Sequence, residues 1–170
     1  MQRPKTLLLL LIIFCWVDAK AFGAILFPST SGSYHLTVAL GRPWIHYALS
    51  VVTVALAGLA TQYLWRPRRG WFRVSLIALG FFVLSGLATV WYTVAHIDVA
   101  RDAYATGRAE RGLPLSPERL EQLFSPDILW AGALVTTAGY LLLVWMAWRR
   151  RGYTSAVVGV ESDPSLDSLP

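Results

Sequence analysis

Four ionisable side chains stand where chemistry could be done in an otherwise apolar chain. Asp18 and Lys20 lie in the first hydrophobic stretch, and His46 and His96 lie near the ends of the second and third. An ionisable group inside a membrane-spanning helix normally faces a partner or a wet cavity, so such groups mark ion or substrate paths. Asp18 and Lys20 are two positions apart, so on a helix they point to different sides and do not simply neutralise each other. A carboxylate near the middle of a span costs about 2.5 to 3.5 kcal/mol on insertion scales. Asp18 therefore needs a partner from another helix, and Tyr47, Tyr92 and His46 are the polar groups nearest to it in height.

His46 and His96 offer a different chemistry. Two imidazoles at matched depth on neighbouring helices could ligate a haem b, each through a neutral nitrogen. A haem between helices wants its ligands inside the hydrocarbon with small residues beside them, whereas these histidines sit at the rim. Interfacial hydrogen bonding is the expectation for both, with haem b as the alternative cofactor. His96, Asp98 and Asp102 suggest a divalent metal at first sight, but Arg101 lies three residues after Asp98 and offers an ordinary ion pair. No HExxH, histidine-rich tract or cysteine set supports a metal site. No GxSxG, P-loop or GxGxxG stands in a strand-to-helix context, so no catalytic residue is assigned. Cys15 is the only cysteine, which excludes an intrachain disulfide and a CxxC redox pair.

These residues are carried by apolar elements. Of the 170 residues, 55% are hydrophobic and 15% charged, with a mean hydropathy of +0.50, too apolar for a typical soluble domain of this size. The composition is that of a polytopic, all-α membrane protein. Four spans are predicted, at about 7–27, 44–65, 71–96 and 127–148, packed as a four-helix bundle. Most of the eight tryptophans mark span ends: Trp44, Trp65, Trp71, Trp91, Trp130, Trp145 and Trp148 are placed in the headgroup zone.

Charge sets the orientation. The net charge is +5, but Arg3 and Lys5, then Arg66, Arg68, Arg69 and Arg73, then Arg149 to Arg151 cluster beside apolar runs. They read as topology signals, not as a nucleic-acid surface, and they place both termini in the cytoplasm. Two readings compete for the first stretch. It is one uncleaved span from Leu7 to Phe27, or a signal peptide cut after Ala21.

Between spans, Pro28 to Arg42 reads as an outside loop. Asp98 to Ser125 forms the second outside loop and holds a short amphipathic helix from Ser116 to Phe124, with Ser as N-cap and Pro at the first position. The third span is expected to run on through Ile97 to about Thr106. Ser125-Pro126-Asp127 repeats the same capping pattern before the last span. Residues 1–152 thus form the transmembrane domain, and 153–170 a disordered cytoplasmic tail.

Small residues recur at helical spacing: Thr53, Ala57 and Thr61 on the second span, Gly80, Ser85, Gly86 and Ala88 on the third, and Gly132, Thr136 and Gly139 on the fourth. Such stripes allow close helix approach in lipid. They make the third span the expected centre of packing. The functional expectation is a non-catalytic membrane protein that works by helix association, as an accessory subunit or assembly factor, with other membrane subunits or itself as partner beside the bilayer. The alternative is a redox or transport component using Asp18, His46 and His96 near the outer face.

Overall fold

A computed structural model of the chain describes residues 5–65 and 70–149. The arginines at 66, 68 and 69, those at 150 and 151, and the tail expected at 153–170 lie outside the described residues. Helices dominate, with no strand among the described residues. In order they are α1 (Lys5–Leu26), a 3-10 turn (Pro28–Thr30), α2 (Gly32–Ala39), α3 (Pro43–Trp65), α4 (Trp71–Ala95), α5 (Ile97–Ala109), α6 (Pro117–Leu123) and α7 (Pro126–Arg149).

Helices α1, α3, α4 and α7 are long and apolar enough to cross a membrane. They are the mark of a multi-pass membrane protein, because hydrocarbon offers backbone N–H and C=O groups no partner and a helix satisfies them internally. Helix α1 packs along α3, α3 against α4 and α4 against α7, while α7 touches α1.

Packing is uneven along the spans. Leu7, Leu10, Leu11 and Phe14 of α1 join Ala57, Ala60 and Leu64 of α3, Trp71, Ala78, Leu79 and Phe82 of α4, and Leu143 and Ala147 of α7 in one core. That core lies toward the end where α3 closes and α4 opens. In α4 no residue after Phe82 is buried, and in α7 only Ala133 is buried before Leu143. α4 is the most buried of the four spans, but through its first three turns, not through Gly80, Gly86 or Ala88, which are exposed. Trp71 also differs from expectation: its ring is fully buried, while the other span-end tryptophans are exposed.

Two segments fold differently from the sequence pattern. The 28–42 loop contains α2, whose Leu36 and Thr37 are buried. Its apolar residues Tyr34, Leu36 and Val38 alternate instead of recurring at helical spacing, and α2 is held by α5 and α3, which pack on it. The third span does not run into the next segment: the chain breaks at His96 (φ −127°, ψ 43°) and starts α5 afresh. The break frees α5 to pack against α2. Both short helices stop the same way. Gly41 and Gly112 each take φ +69°, and the next residue's N–H reaches back five residues, Arg42 to the Thr37 carbonyl (2.7 Å) and Leu113 to the Arg108 carbonyl (2.9 Å). Glycine adopts that left-handed turn without a Cβ penalty.

Candidate functional site

His46 comes into place because Pro43 opens α3 and leaves the imidazole one turn inside, beneath α2. It is buried, with 4% of its surface exposed. Nε2 lies 3.1 Å from the Ala24 carbonyl of α1, and Nδ1 lies 3.1 Å from the Ser33 hydroxyl of α2. A ring whose Nε2–H donates to Ala24 leaves Nδ1 to accept from Ser33. Tyr34 and Tyr47 meet the ring edge-on, each at 5.5 Å. His46 thus ties α1, α2 and α3 together.

His96 sits elsewhere. It is exposed at the α4–α5 break and stacks edge-on with Tyr92 at 4.9 Å. No hydrogen bond or ring contact joins His46 and His96 among the described residues, and both nitrogens of His46 already have protein partners. Ligation of a haem b by this pair would break one of those hydrogen bonds. Asp98 and Arg101 form the ordinary ion pair, at 2.7 Å, and Asp102 is exposed beside them.

The missed contributor is His35. Its Nε2–H donates to the Ser29 carbonyl at 2.8 Å, and its ring lies where a side chain on Gly107 would be: a Cβ there would sit 2.5 Å from Nε2 and 2.6 Å from Cδ2. Only a glycine lets α5 approach α2 so closely. Tyr104, one turn earlier on α5, lies over Gly32 and meets the ring of Phe124 at 5.5 Å. Histidine and glycine 72 positions apart leave no local pattern, so the pair was invisible until folded. Below it, the Ser116 hydroxyl accepts from the Arg119 N–H at 3.4 Å and caps α6. The Glu118 carboxyl is held below its ordinary value by its own backbone N–H and then by the Ser116 hydroxyl.

Asp18 does not find Tyr47, Tyr92 or His46. Its carboxyl lies against Gly58 of α3, where a Cβ would be 3.8 Å from Oδ2, and Oδ1 is buried without a hydrogen-bond partner. Thr61, one turn further along α3, also has a buried hydroxyl without a partner. Lys20 is exposed. The structure therefore separates Asp18, His46 and His96 into three surroundings instead of one polar site.

A fourth feature comes from the uneven packing. Beyond the core, α4 and α7 border an open-sided groove of about 330 Å³ whose lining includes Phe82, Gly86, Val90, Ile128, Gly132 and Thr136. The Thr136 hydroxyl donates to its own helix, to the Gly132 carbonyl at 2.8 Å, and Thr137 and Tyr140 add two further hydroxyls to an otherwise apolar wall. A Cβ built on Gly86 or Gly132 meets nothing within 4 Å.

No family model, curated protein or solved structure matches this chain. The site must be judged on its own chemistry. Among the described residues no group of three His, Cys, Asp or Glu side chains is placed to hold a metal ion. The groove presents small residues and exposed backbone among larger apolar side chains.

Proposed function

We propose that this protein is a helix-association subunit of a membrane complex, and that the α4–α7 groove receives a transmembrane helix of its partner. The observation that carries this reading is that Gly86 and Gly132 line one groove with no side chain of the chain itself against them. Without a hydrophobic drive between helices in lipid, association rests on van der Waals packing, and glycine allows the backbones to approach. Lipid tails need no such feature, since they fill a side-chain-lined surface equally well.

The finer architecture belongs to the same reading. The four long helices form a bundle whose termini both lie in the cytoplasm, as the arginine clusters at Arg66 to Arg73 and Arg149 to Arg151 favour. α2, α5 and α6 then cap the outer face. Leu7 to Phe14 supply much of the core, which supports a retained first span over a cleaved signal peptide.

The test uses Gly86→Leu and Gly132→Leu in the full chain, extracted from its own membranes in mild detergent. Wild type is expected to run on a native gel as an assembly larger than a monomer. Both variants should run as folded monomer, because a Cβ at either position meets nothing within the chain while the rest of the leucine fills the groove. A monomeric wild type, or variants that keep the assembly, would overturn the proposal. Crosslinking through a cysteine placed at 132, in a Cys15→Ser background, then tells a second copy from a different protein.

A further inference from the structure

The opposite end of the molecule carries a second recess. The first turn of α1 and the last turn of α7 border an open-sided cavity of about 520 Å³, lined by Thr6, Trp145, Met146 and Arg149. Its lining combines a guanidinium, an indole and a thioether with the carbon side of a threonine. One observation gives it a chemistry. The Arg149 guanidinium stacks over the Trp145 ring, 4.7 Å from the centroid, and so is folded back along α7 toward the apolar part of the helix. Stacking uses the face of the guanidinium and leaves its N–H edge for a planar, two-pronged acceptor. The Thr6 hydroxyl is buried with no hydrogen-bond partner and is sealed from the cavity, so the guanidinium is the donor that an incoming group meets.

We propose that this cavity holds the phosphate headgroup of a membrane phospholipid, with Arg149 gripping two phosphate oxygens. The surroundings favour a lipid over a free anion. The recess lies at the ends of two spans, at headgroup height. It is far larger than a single small ion needs, given that a water takes about 30 Å³ of liquid. Among the described residues its other walls, Trp145 and Met146, suit the glycerol and the start of an acyl chain, and Met146 can adjust its rotamers to admit them. Basic recesses between transmembrane helices are a general means of holding anionic headgroups.

The test is native mass spectrometry of the whole protein in maltoside detergent, titrated with phosphatidylglycerol. Wild type should retain one lipid at concentrations where further copies are lost. Arg149→Gln should weaken that adduct roughly tenfold or more, the effect of losing a charged hydrogen-bond donor. Thr6→Val removes a hydroxyl that is sealed from the cavity and should bind like wild type. Arg149 is exposed, so its replacement leaves the fold intact, and an unchanged melting temperature in lipid-free detergent checks this. Equal retention by wild type and Arg149→Gln would overturn the site, as would a Thr6→Val protein that loses the lipid as Arg149→Gln does. If inorganic phosphate at the same concentration displaces the lipid, the cavity recognises a free anion and the lipid assignment fails.

Discussion

Replacing Phe14 by alanine measures whether α1 is part of the packed fold. Phe14 is completely buried and meets Phe82 of α4 at 6.1 Å between ring centroids. In a soluble protein such a change costs about 3 to 5 kcal/mol, combining lost transfer from water with a cavity term. Here the transfer part largely vanishes, because a separated α1 would keep its side chains in lipid, which is as apolar as leucine. What remains is the cavity: a void on the order of 100 Å³ at about 24 cal/mol per Å³ gives about 2 kcal/mol. Ile12→Ala on the same helix is the control, since Ile12 is 57% exposed and faces lipid on either side of the equilibrium. Reversible unfolding in mixed micelles, or steric trapping in bicelles, reads the difference directly. The reasoning fails if the two variants cost the same. It fails differently if Phe14→Ala is silent and the mature protein starts at Phe22, because position 14 would then be absent from the folded molecule.

Two further outcomes follow from groups at other depths. Asp18→Leu should leave the protein at least as stable as wild type in the same assay, since it removes a buried carboxyl oxygen that has no partner; a loss of more than about 1 kcal/mol would mean that the carboxyl is paid for by an interaction the geometry does not contain. For Glu118 the folded carboxyl titrates below its ordinary value of 4.5, so its contribution to α6 is complete above that value and is lost as pH falls through the lower, folded value. Hydrogen exchange of residues 119–124, corrected for intrinsic rates, should show protection falling with acid in wild type and not in Glu118→Gln; identical pH profiles would refute the assignment.

Much of this protein was legible in its residues one segment at a time. Long apolar runs must become helices in hydrocarbon, because nothing else satisfies the backbone there, so the four long helices followed from composition and length. The Ser116 cap and the Asp98–Arg101 pair were equally plain, because both partners lie within one helical turn. What no segment contains is which faces meet. Helix α2 exists because α5 and α3 cover it. His46 is buried because α1 and α2 close over it, and Asp18 rests on Gly58 and not on the polar groups at its expected height. The small-residue stripes show the limit most clearly: Ala57 is fully buried while Gly86 and Gly132 stand open. A small side chain permits close approach from any helix, of this chain or another, so its position alone does not name the neighbour; the choice is made by the volumes and hydrogen bonds of residues far apart in sequence, and only the assembled helices decide it.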